Sequence, residues 1–257
     1  MSEDPENKEK LAEGTLISHL LELRDRLIRC VISVGLVFVP CMSYANEIFS
    51  YVIKPMLDKL PNSNHMVATG VMSPFLTPFK TAFFVAVLLA MPYILFQLWA
   101  FVAPGLYRHE KRFAVPLLVS SILLFYSGIA FAYFAVFPLM FAFLVGTTPP
   151  GVALMPDINQ YLDLVIKMFF AFGVAFEVPV AVVLLVHTGL VKIEKLRSHR
   201  GYVLIGIFII AALITPPDAV SQSIMAIPMY ALYEAGLIMA SLMSRDRDAT
   251  KDVSKAS

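Results

Sequence analysis

Six apolar stretches, set apart by polar and charged residues, leave this chain few folds to choose from. They run from Leu27 to about Ala45, about Phe79 to Val102, Phe113 to about Phe137, about Tyr161 to His187, Tyr202 to Ile214, and Ala219 to about Leu242. A bilayer core of about 30 Å needs roughly 20 apolar residues per helix. Hydrophobic residues make up 58% of the chain and charged ones 15%, against roughly 45–50% and about 25% in soluble domains. One soluble core cannot absorb that surplus. The sequence therefore predicts an all-α integral membrane protein with six transmembrane helices, the last two of them short.

Basic residues fix the expected orientation. Sixteen of the twenty Lys and Arg residues fall before or in the first turn of the first stretch, between the second and third, between the fourth and fifth, and after the sixth. The alternate connections hold only Lys54 and Lys59, with Lys80 and Lys167 near helix ends. That alternation needs six spans and puts both termini on the cytoplasmic side. Residues 1–26 then form a cytoplasmic segment, 27–243 the membrane domain, and 244–257 a disordered polar tail. The acidic stretch Ser2 to Glu13 does not read as a cleavable signal. Within the first segment, Leu16, Leu20, Leu23 and Leu27 share one helical stripe, with Thr15 as the expected N-cap.

Prolines 40, 92, 179 and 228 lie inside spans, where membrane helices tolerate them as kinks, and they predict a curved, concave bundle. Tyr202 to Ile214 spans only about 20 Å as a helix. The hairpin after it, Thr215 to Asp218, should sit below the outer surface, or the bilayer must thin around it. Cys30 and Cys41 are about 16 Å apart along one helix, too far to pair.

Three acids carry the chemistry. Glu177 falls near the bilayer midplane, where an ionised acid costs roughly 2.5–3.5 kcal/mol on insertion scales, so it should face a polar cavity or a partner. Glu22, with Arg26 four residues on, and Glu110, among Arg108, Lys111 and Arg112, both fall on the cytoplasmic face beside apolar spans. Carboxylates grip guanidinium groups bidentately. Two of them beside apolar surface suit a peptide with paired arginines followed by a hydrophobic stretch.

Four motifs, in order, resemble the TatC family: Ser18 to Leu27 (SHLLELRDRL), Phe101 to Arg112 (FVAPGLYRHEKR), Phe172 to Val180 (FGVAFEVPV) and Thr215 to Asp218 (TPPD). The resemblance implies a cupped six-helix bundle in the bacterial inner membrane. It implies a receptor for twin-arginine signal peptides of folded precursors, with Glu22, Arg24, Phe101 and Glu110 at the peptide site. By the same resemblance Glu177, Pro55 and Asp218 matter for transport, and Thr215 and Gln222, expected to be exposed, dock the small single-span subunits TatA and TatB in an oligomeric complex. It further implies that the proton-motive force supplies the energy.

No cofactor, metal or nucleic acid is expected. Phosphate loops of the G-x-x-x-x-G-K-S/T type, H-E-x-x-H helices and G-x-S-x-G elbows are absent from the sequence, so the chain reads as a receptor and platform, not an enzyme. The alternative is a proton-coupled secondary transporter using Glu177. It predicts matched internal repeats, which the sequence does not display.

Overall fold

The structure is a computed structural model. It describes residues 5–58, 65–106, 111–149, 152, 155–215 and 218–256, with side chains described in 17–58, 65–101, 115–149, 152, 155–215 and 218–243. The described residues form helices α1 (Pro5–Ser43), α2 (Ala45–Leu57), α3 (Ser73–Leu106), α4 (Lys111–Phe131), a π-helical turn (Ala132–Val136), α5 (Phe137–Gly146), α6 (Ile158–His187), α7 (Ile193–Ser198), α8 (Arg200–Ile214) and α9 (Ala219–Ala256). Five stretches are long and apolar enough to cross a membrane: 17–43, 73–101, 115–146, 158–187 and 219–243. With the shorter α8 this makes six. Of the two helices expected to be short, only α8 is. Glu234 interrupts the last apolar run, but it accepts from Arg200 at 2.7 Å and Tyr230 at 2.9 Å, so α9 continues.

Both chain ends are more helical than expected. α1 passes through Thr15, so the helix does not start there as expected, and α9 runs beyond Ser244 to Ala256. Once a helix is nucleated, each added residue gains a hydrogen bond at little further cost.

Packing is uneven. α3 is the most enclosed span, with half of its apolar window buried, whereas α1 has 6% buried and leans on α3. Small residues let α1 approach: Cys41, Ala82 and Ala86 are buried together, and Phe38 meets Phe79 and Phe83 edge-on at 5.2 and 5.7 Å. Leu20, Leu23 and Leu27 point outward. α6 packs between α4 and α9. Gly128 makes the first contact possible, because a Cβ there would lie 2.5 Å from the Phe172 carbonyl oxygen, and Gly236 makes the second, with Pro179 Cα at 2.9 Å. In lipid, such close approaches replace the hydrophobic drive that joins helices in water.

Proline shapes the bundle by what it frees. Its ring lacks an N–H and leaves the carbonyl four residues back without a helical partner. Pro55, in the last turn of α2 and buried, frees Tyr51, whose carbonyl takes the Tyr133 hydroxyl at 3.1 Å. Pro92 frees Leu88, whose carbonyl takes the Tyr126 hydroxyl at 2.8 Å. Pro138 acts differently. It sits just after the π turn, in which the Phe137 N–H reaches back five residues to Ala132. The wider turn accommodates the ring and presents Tyr133 to α2.

At the end where α3 and α6 start, the chain is stapled by polar groups. Val67 exchanges backbone bonds of 2.9 Å with Pro156 and Ile158. Asp157 caps α6, accepting from the Asn159 and Gln160 amides and, from across the chain, from the Thr69 amide at 2.9 Å and hydroxyl at 2.7 Å. These bonds, the Thr69 hydroxyl foremost, hold the Asp157 carboxyl down at about 2. Below it, Ile214 and Thr215 share a cavity of about 510 Å³ with Tyr161, Leu164 and Lys167. The end of α8 therefore lies beside the first turns of α6.

Gly128→Ala should destabilise the protein by roughly 1–3 kcal/mol through overpacking, while Gly35→Ala, where nothing lies within 4 Å, should not. Thermal midpoints in detergent compare them. Tyr133→Phe should cost about 1 kcal/mol, and less in a Pro55→Ala background, where the Tyr51 carbonyl regains its helical donor; a double-mutant cycle reads the difference. Because its folded pKa is depressed, the Asp157 contribution is complete above the usual carboxylate range and lost as pH falls through about 2. The stability gap between wild type and Asp157→Asn should be flat from about pH 5 to 8 and should close below about pH 4.

Candidate functional site

The start of α1 meets the end of α3, and the side chains that meet there were mostly flagged by the sequence. His19, Glu22 and Arg26 recur at helical spacing and so share one face of α1. That face lies against α3. The His19 ring stacks on Phe101 with centroids 4.2 Å apart and planes at 16°, and His19 Nδ1 is 4.0 Å from Glu22 Oε2. Arg26 Nε and Nη2 both donate to Glu22 Oε1, at 3.0 and 2.6 Å. Glu22 Oε2 accepts no hydrogen bond among the described residues, and the Glu22 side chain is 40% exposed.

Arg26 is itself held by α3. Its Nη1 donates to Gln97 Oε1 and its Nη2 to the Ala100 carbonyl, both at 3.1 Å. The Ala100 carbonyl is available because the residue four ahead is Pro104. Gln97 is buried, and its amide donates to the Tyr93 hydroxyl at 2.7 Å. Glu22 and Phe101 thus come together, joined by His19 and Arg26. Arg24 stays apart, exposed and paired with Asp25 at 2.8 Å. Glu110 lies outside the described residues. The bond between Glu22 and Arg26 was legible as an i,i+4 pair. His19, three residues before Glu22 in sequence, carries the same helical-spacing signal and could have been found by it. Gln97, a lone amide in an apolar run, drew no notice.

The remaining candidates are dispersed. Glu177 is half-buried on α6, about 15 Å from that helix's end at 1.5 Å per residue, beside the buried Ser121 hydroxyl of α4. Ser121 also accepts from Trp99 Nε1 at 3.1 Å. Glu177 Oε1 is buried with no hydrogen-bond partner among the described residues. Asp218 caps α9, its carboxylate accepting from the Ser221 amide. Pro55 is buried against the bundle through the Tyr51 to Tyr133 bond already described. Thr215, expected to be exposed, is 5% exposed: it ends α8, and its hydroxyl bonds back to the Ala211 carbonyl at 2.9 Å. Gln222, in the first turn of α9, is half-buried. The two cysteines are free.

Known proteins resemble this chain in architecture and in sequence. A family model described as Sec-independent protein translocase protein (TatC) matches residues 18–228. The Sec-independent protein translocase protein TatC of Azotobacter chroococcum is 51% identical over 238 residues, covering 92% of this chain and 93% of its own. The TatC protein of Escherichia coli K12 is 53% identical over 225 residues, covering 88% and 87%. A crystal structure of a twin-arginine translocase receptor, TatC, superposes with a TM-score of 0.79 at 35% identity, over 88% of this chain and 99% of that one. A translocase component of this kind is not an enzyme, and the chain belongs to the TatC family of multi-pass membrane proteins that serve the Sec-independent translocase.

Proposed function

We propose that this chain is the receptor subunit of the translocase, binding twin-arginine signal peptides where α1 meets α3. One observation carries the reading. Glu22 offers a carboxylate oxygen that accepts no hydrogen bond among the described residues, next to the stacked His19 and Phe101 rings, at the end of the bundle where basic connections collect. An ionised carboxylate binds guanidinium with charge-assisted bonds, and the exposed His19 ring and half-buried Phe101 ring adjoin it as surface for the residues that follow. Glu110, nine residues after Phe101 in sequence, supplies the second carboxylate. Arg24 contributes from the outer face of α1 without touching the peptide's arginines.

The distribution of Lys and Arg supports a cytoplasmic location for both termini in a bacterial inner membrane. The peptide's apolar stretch then enters the membrane beside the bundle. Glu177 serves the conformational response, and Gln222, with Thr215 as part of the packed hairpin, forms the docking region for small single-span subunits. Thr215 acts there through the shape of the α8 end, since its hydroxyl is already engaged. Energy comes from the proton-motive force.

Glu22→Gln and Glu110→Gln should each weaken capture of a twin-arginine peptide by purified protein, and the pair should weaken it further. Replacing the peptide's two arginines by lysines should have a comparable effect, because lysine cannot bind bidentately. A double variant that binds at wild-type affinity would refute the assignment.

A further inference from the structure

Arg26 pairs with Glu22, and its geometry is that of a support. Four hydrogen bonds from Arg26 and one behind them organise it. Two donors converge on one oxygen of Glu22, and two more bonds tie the guanidinium to Gln97 and to the Ala100 carbonyl of the neighbouring helix. The fifth, the bond from Gln97 to Tyr93, fixes the amide that does part of the holding. Arg26 is 20% exposed, half as much as Glu22. The carboxylate is therefore gripped from its inner side by Oε1, and Oε2 faces out beside His19.

We propose that Arg26 is a positioning residue for signal-peptide recognition, with Gln97 and the proline-freed Ala100 carbonyl as its anchors. The proposal rests on the reading of Glu22 as a peptide ligand. An exposed glutamate on a helix loses rotamer freedom when it captures a ligand, and that loss opposes binding. Arg26 removes most of it beforehand. Because Arg26 occupies only Oε1, Oε2 remains to take two N–H donors of the incoming guanidinium, as Oε1 takes two from Arg26, and Arg26 need not be displaced. The anchors matter for the same reason: without α3, Arg26 would follow Glu22 instead of fixing it.

The sign of one measurement separates this role from its opposite. An internal competitor for Glu22 would strengthen peptide binding when removed, and a positioning residue weakens it. The test uses the full chain in lipid nanodiscs, a fluorescent twin-arginine signal peptide, and its twin-lysine counterpart. Arg26→Gln should weaken the twin-arginine peptide about tenfold, and in a Glu22→Gln background the same change should alter affinity by less than about twofold. The preference for arginine over lysine should shrink accordingly. Gln97→Leu, which leaves both partners in place, should give a smaller loss in the same direction. If Arg26→Gln does not yield folded protein, Gln97→Leu decides, and unchanged affinity overturns the proposal. Unchanged or tighter binding by Arg26→Gln overturns it, as does an equal loss in the Glu22→Gln background. Wild-type affinity in Glu22→Gln alone would instead overturn the proposed function.

Discussion

A bilayer has nothing to offer a carbonyl that has lost its helical donor. This chain places prolines where that loss occurs and meets it from within. Tyr133 takes the carbonyl freed by Pro55, Tyr126 the one freed by Pro92, and Arg26 the one freed by Pro104. Each of these bonds crosses between elements: α2 to the π turn, α3 to α4, and α3 to α1. The prolines thus supply fixed points of interhelical attachment. Bonds of this type are worth only about 1 kcal/mol net each, but they set register, which nonspecific apolar contact cannot.

The same logic explains how a nearly unenclosed helix can carry a defined site. α1 buries little and has a single broad contact, with α3. Apolar packing near Cys41 holds one end of it. At the other end the bonds from Arg26 to Gln97 and Ala100 pin it polar group by polar group. Glu22 therefore sits on a helix whose orientation is set by α3, while its face towards lipid stays free.

Much of this was legible in the sequence, for physical reasons. Long apolar runs and alternating basic connections report the bilayer itself, so the span count and order survive any detail of packing. The pair of Glu22 and Arg26 follows from helical spacing alone. What escaped depends on contacts between distant segments. Thr215 looked like an exposed polar residue, and only the helix end it occupies shows that its hydroxyl is spent on Ala211. Glu234 is a charged residue inside the last span, and only Arg200 and Tyr230, brought close by folding, show how it is satisfied. The prolines announced which carbonyls would be free. Their partners, thirty-eight or more residues away in chain order, could not be read from periodicity.

Trp99 is the chain's single tryptophan. Its indole N–H bonds to the hydroxyl that adjoins Glu177, and its backbone directly precedes the carbonyl that Arg26 holds. All indole emission from this protein therefore originates at one hydrogen-bonded ring lying between the surface carboxylate and the intramembrane one. Wavelength, lifetime and quenching of that emission belong to a single known position, and the molecule carries its own optical gauge at the junction of α1, α3, α4 and α6.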